Sequence, residues 1–159
     1  YAINELGTNK NKVHFYGFSL GGALAAQVKA LHPESMGKYV GDRPFKSVFS
    51  LITENCCIEK LGPSIKKITS AISSIFIAAP IYLLGWEWNG RKAIMQMEGE
   101  KRVIYHPNDY LVPFNASLAS QFSVDQLIQL DPAEKGPSTH FSTIDEKNTA
   151  EGIDAVTMI

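Results

Sequence analysis

Apolar and polar positions near the start of the chain follow two different rhythms, and the change between them is abrupt. Residues 12–16, Lys-Val-His-Phe-Tyr, are a short run of strand-forming type. Gly17-Phe18-Ser19-Leu20-Gly21-Gly22 follows, then the alanine-rich stretch 23–31. In that stretch Leu20, Ala23, Leu24, Gln27, Val28 and Leu31 recur at intervals of three and four, which predicts a helix. His32-Pro33 ends it, because the residue before a proline avoids the helical region. The order predicted is strand, tight turn, helix, with small residues on that striped face letting it pack closely on a sheet.

Further along, residues 38–40 predict a second strand, and Gly41-Asp42-Arg43-Pro44-Phe45 marks the end of regular structure. Residues 47–57 read as a helix. Gly62-Pro63-Ser64 opens a longer helical stretch, 65–84, with a polar face of Lys66, Lys67, Ser70, Ser73 and Ser74 that gives way to a nearly unbroken apolar run from Ile75 to Leu84. Pro80 kinks it and Gly85 ends it. A membrane span needs about 20 apolar residues, so this shorter, proline-interrupted run reads as a buried or lid helix. Residues 101–105 predict a third strand, 114–121 a short helix opened by Pro113, and 126–130 a fourth strand. Strands alternating with helices imply an α/β fold with a parallel sheet.

Composition narrows the picture. With 45% hydrophobic and 19% charged residues, the chain supports one domain over residues 1–159 with a substantial core. Its net charge of -1 and interspersed cations give no basic stripe, which excludes nucleic acid as the expected partner. Cys56 and Cys57 are adjacent and close no loop, which favours a reducing compartment or a disulfide-free life. Tyr1, Ile3 and Leu6 followed by Gly7 read as the end of a helix, and no initiator Met or signal-like run precedes them. The expectation is a piece of a longer protein, cytoplasmic or secreted. With neither metal-ligand spacing nor a dinucleotide fingerprint, no cofactor is expected.

Gly17-Phe18-Ser19-Leu20-Gly21 has the Gly-x-Ser-x-Gly spacing of a nucleophile turn, in which a serine sits on a strained strand-to-helix bend and flanking glycines give room. The turn would project the Ser19 hydroxyl above the sheet and aim the Leu20 N–H at an oxyanion. A glycine-rich turn used for phosphate binding or packing is the alternative. A serine needs a base, and in this arrangement an acid and then a histidine follow it in the chain, each on a loop after a later strand. Asp109, after the third strand, and His140, after the fourth, satisfy that order. Asp109 could instead cap a turn, and His140 could face solvent. Asp42 is the rival acid, unless it pairs with Arg43 or fixes the Pro44 turn; His106 is the rival base, out of order. His14 reads as packed within the first strand, and His32 as a helix-ending residue suited to the dipole.

Carried on Gly17-Phe18-Ser19-Leu20-Gly21-Gly22, Asp42-Arg43-Pro44-Phe45-Lys46-Ser47, Leu84-Gly85-Trp86-Glu87, Asp109-Tyr110-Leu111-Val112-Pro113 with Ala116-Ser117-Leu118, and Thr139-His140, nearly the whole chain resembles the later half of an α/β hydrolase. More narrowly it resembles the chlamydial CHLPS-type hydrolase-like proteins and the lipase-like secreted effectors of Legionella. The resemblance implies about four parallel strands with flanking helices, a helical lid-like insertion at 47–84, and Ser19, Asp109 and His140 as a triad. The strands that precede the nucleophile in that superfamily, with the loop that gives a second oxyanion donor, are absent before Ser19. One lost donor costs on the order of 10²–10³ in rate, so this piece alone is expected to be poorly soluble or weakly active.

The chemistry expected is acyl transfer on a small-molecule or lipid ester, with the apolar run, Trp86 and Trp88 suiting an acyl chain. The rival is a catalytically inactive interaction module on the same fold, with peripheral membrane contact.

Overall fold

The computed structural model describes residues 4–55, 80, 83, 89–133, 135–142 and 144. Strand β1 (Phe15–Phe18) leads to helix α1 (Leu20–Leu31), then β2 (Tyr39–Asp42), α2 (Val48–Asn55), α3 (Gly90–Gln96), β3 (Lys101–Tyr105) and β4 (Leu127–Gln129). The strands form a four-stranded sheet in chain order, β1-β2-β3-β4, and every pairing is parallel. The fold is therefore α/β, as the alternation of elements predicts. Apart from Ser47, α2, Pro80 and Leu83, the insertion expected at 47–84 lies outside the described residues, as do Cys56, Cys57, Trp86 and Trp88.

Register aligns the strand ends. Phe18 lies opposite Asp42, Asp42 opposite Ile104, and Tyr105 opposite Gln129. The loops after all four strands thus leave from one edge, where open α/β sheets bind ligands.

The helix α1 corrects its own reading. Its three-and-four stripe of Leu20, Leu24, Val28 and Leu31 faces outward, exposed. The buried side is Gly22, Ala23, Ala26 and Lys29. The cause is distance: the Tyr39 hydroxyl, buried on β2, donates to the Gly22 carbonyl at 2.9 Å, so α1 approaches too closely for leucines to fit beneath it. Ala26 joins Ala93 of α3, Met97 just after it, Val103, Leu118 and Ala119 in the larger core cluster. On the opposite face Val40, Ile104, Ile128 and Leu130 cluster together. Lys29 reaches the Ser35 carbonyl with its ammonium over the Phe15 ring, and burial lowers its pKa.

Local interactions move several boundaries. β1 starts at Phe15, later than its apolar run suggests, because Lys10–Lys12 forms a 3₁₀ turn whose preceding Asn9 side chain accepts from the Asn11 N–H. His14 consequently stands exposed before the strand rather than packed in it, and its Nδ1 accepts from the Lys38 N–H at 2.9 Å. β2 runs on to Asp42, since Gly41 and Asp42 pair on both sides with β1 and β3. The helix expected at 114–121 contracts to a 3₁₀ turn, Leu118–Gln121, because the preceding backbone bonds instead to the segment after β2: Lys46 N–H to the Ala116 carbonyl and Leu118 N–H to the Pro44 carbonyl, each 2.8 Å. Helix α3 is unforeseen; the Asn89 side chain caps it by accepting from Lys92 N–H.

Burial pushes the Tyr39 pKa well above its ordinary value of 10.0. A group whose folded pKa is raised stabilises the protein fully below its unfolded pKa and loses that contribution as pH rises through the folded value. Tyr39→Phe should cost about 1 kcal/mol at neutral pH through the lost hydrogen bond. Denaturant unfolding as a function of pH should show the gap between the two proteins narrowing above about pH 10, where tyrosine in the unfolded chain ionises.

Candidate functional site

Ser19 occupies the bend between β1 and α1 with φ 50 and ψ -115. Among the described residues only Ser19 and Arg43 combine a side chain with a positive φ. Such backbone costs of order 1–3 kcal/mol and persists only where neighbours enforce it. Here the Ser19 N–H donates to the Asp42 carbonyl at 2.7 Å, while the Ser19 carbonyl accepts from Ala23 N–H at 3.1 Å. The bend is pinned from the sheet and from the helix.

The room it needs comes from Gly17 and Gly22. A Cβ on Gly17 would collide with the Gly21 carbonyl, and one on Gly22 would lie 2.6 Å from the Gly17 carbonyl. Gly21, expected to give room, differs: a Cβ there meets nothing within 4 Å, so what the turn uses at that position is the close approach of its main chain. Leu20 opens α1, half exposed, and its N–H belongs to the first helical turn, whose donors have no intrahelical acceptor. Serine is a favoured N-cap, yet the Ser19 side chain does not cap α1. Its hydroxyl is turned to a histidine instead.

That histidine is His140. Its Nε2 lies 2.9 Å from Ser19 Oγ, and its Nδ1 lies 2.6 Å from Asp109 Oδ2. The other Asp109 oxygen accepts from the N–H groups of Leu111 and Val112, each at 2.9 Å. Asp109 thus caps its own turn with one oxygen and holds His140 with the other. A carboxylate only accepts, so Nδ1 carries the proton and Nε2 is left as the acceptor for the serine hydroxyl. Both side chains are buried. The Phe18 ring packs 5.2 Å from the imidazole, and exposed Phe141 meets it edge-on at 5.2 Å. The two loops are tied together, the Thr139 hydroxyl lying 3.1 Å from the Asn108 carbonyl.

The rival residues have other engagements. Asp42 is held by the buried Arg43 guanidinium, Oδ1 to Nε at 2.7 Å and Oδ2 to Nη2 at 3.1 Å. Tyr16 also donates to it at 3.4 Å, and burial, then the Asp42 charge, raises the Tyr16 pKa. His106 is buried in the acid loop, its Nδ1 accepting from Asn108 N–H at 3.0 Å. His32 ends α1 and lies 3.3 Å from Glu34. Arg43 also reaches the His140 loop, a connection that Asp-Arg-Pro in the sequence could announce only as a local ion pair.

Among the described residues no group of three or more His, Cys, Asp or Glu could hold a metal ion, and no helix is long and apolar enough to cross a membrane. Comparison of the chain with protein-family models, curated proteins and solved structures finds no match.

The two glycines of the turn separate by experiment. Gly17→Ala must displace backbone and should cost at least about 2 kcal/mol, whereas Gly21→Ala, at a helical position with open space, should be neutral or stabilising by up to about 1 kcal/mol. Thermal unfolding of the two variants checks this; equal losses would contradict it.

Proposed function

We propose that the chain is a serine hydrolase of α/β-hydrolase type that cleaves carboxylic esters through an acyl-enzyme. The observation that carries this reading is the unbroken hydrogen-bonded path from Ser19 Oγ through His140 to Asp109, at the C-terminal edge of a parallel sheet. In the proposed reaction His140 Nε2 takes the Ser19 proton as Oγ attacks the ester carbonyl, and the Leu20 N–H donates to the resulting oxyanion. Collapse breaks the ester C–O bond, His140 returns the proton to the departing alcohol, and a water activated the same way releases the acid. Asp109 keeps the imidazole in the tautomer that each step requires and steadies the imidazolium.

Exposed Leu20 and Phe141 beside the two reacting side chains favour an apolar acyl or alcohol group, in keeping with a lipase-like or simple esterase substrate. A second reading, a binding module that has kept the fold without the activity, draws support from the outward apolar stripe of Leu20, Leu24, Val28 and Leu31.

Turnover of p-nitrophenyl esters separates the two. Ser19→Ala should abolish it, His140→Ala should lower kcat roughly 10⁶-fold, and Asp109→Asn roughly 10⁴-fold. His106→Ala should retain most of the rate. Turnover that survives Ser19→Ala, or that depends on His106 and Asp42 while ignoring His140 and Asp109, would overturn the assignment.

A further inference from the structure

Ser19 and His140 are 121 residues apart in the chain, and a hydrogen bond between them at 2.9 Å requires that their two main-chain segments be held against each other. The second strained residue supplies the means. Arg43 has φ 49, directly follows β2, and its N–H donates to the Ile104 carbonyl at 2.8 Å. Its side chain is buried and divides its donors. Nε and Nη2 grip the Asp42 carboxylate. Nη1 turns to the base loop, 3.2 Å from the Thr139 carbonyl, 2.8 Å from the Ser142 carbonyl and 3.0 Å from the Ser142 hydroxyl. Those acceptors bracket His140 in the chain. The guanidinium also lies 5.1 Å above the Phe18 ring, the same ring that packs against the His140 imidazole.

We infer that Arg43 is the positioning residue of this site, fixing the main chain on both sides of His140 relative to the Ser19 bend; the inference rests on the hydrolase reading of Ser19 and His140. Its neighbour Asp42 completes the device, because the Asp42 carbonyl accepts the Ser19 N–H. One dipeptide at the end of β2 therefore holds the nucleophile's backbone through Asp42 and the base's backbone through Arg43. The Asp42 carboxylate neutralises the buried guanidinium and fixes its plane, so that Nη1 faces the loop. A lysine could keep the charge but could not pair with Asp42 through a fork and bond the loop at once. This division of donors also explains why a carboxylate so close in sequence to the end of β2 stays out of the proton path.

The test is Arg43→Lys in the full chain, alone and combined with His140→Ala. Misplacing a base by a fraction of an ångström should lower kcat for p-nitrophenyl esters roughly 10- to 100-fold with KM nearly unchanged. In the His140→Ala background the same substitution should change the residual rate less than about twofold, because the clamp acts through His140. In proton NMR of the ¹⁵N-histidine-labelled protein, the low-field Nδ1–H signal of His140 should be present in the parent and broadened or lost in Arg43→Lys.

Equal losses in the two backgrounds, or a rise in KM alone, would overturn the clamp in favour of general structural damage or substrate contact. Should Arg43→Lys not fold, Ser142→Ala removes one acceptor of Arg43 together with the hydroxyl's own bond to the Thr139 carbonyl while sparing the ion pair, and should lower kcat a few-fold with the same dependence on His140; no change would overturn the inference. If parent turnover survives Ser19→Ala, the hydrolase reading fails, and the NMR signal judges Arg43 by itself: an unaltered signal in Arg43→Lys overturns the clamp.

Discussion

The hydrogen bond from the Ser19 amide to the Asp42 carbonyl, 2.7 Å long, extends the β1–β2 ladder by one residue beyond the end of β1. Much else at this edge follows from it. It holds Ser19 in a backbone conformation that serine does not adopt freely, and it starts α1 hard against the sheet. With the helix that close, the positions nearest the strands are the small Gly22, Ala23 and Ala26, and the leucines of α1 turn outward. The serine hydroxyl does not cap its own helix and meets His140 instead.

Parallel pairing in chain order then brings three loops to one edge without any long-range search for partners. The loop after β2 holds an ion pair, the loop after β3 an aspartate, and the loop after β4 a histidine. The buried Asp109 and Arg43 side chains are each satisfied in a way that divides labour between their oxygens or nitrogens. Asp109 serves its own turn and His140; Arg43 serves Asp42 and the histidine loop. Buried polar networks of this kind are costly when incomplete, and a full set of partners is what keeps side chains in one geometry.

The sequence made the α/β alternation legible because each strand was a compact apolar run flanked by glycine or proline. β3 matches its expected bounds at both ends, and β4 lies within its own. Boundaries set by side-chain capping were less visible: Asn9 and Asn89 each cap a helical turn that the pattern of apolar positions does not announce. The facing of α1 was misread because periodicity reports that a stripe exists but not how near the sheet lies. Among site residues, Ser19, Asp109 and His140 were nameable from spacing and order, and the structure brings these three together. Arg43 was not, since its bonds to Thr139 and Ser142 cross 96 and 99 residues and depend on a left-handed backbone that no local pattern encodes.

In the proposed function this arrangement makes Ser19 a nucleophile. A fluorophosphonate reacts with serines activated by a neighbouring base, so peptide mass spectrometry after treatment of the folded chain asks the question directly. A single covalent adduct is expected, on Ser19, and it should disappear in His140→Ala. Absence of any adduct, or an adduct on another residue that persists when Ser19 is replaced by alanine, would contradict it.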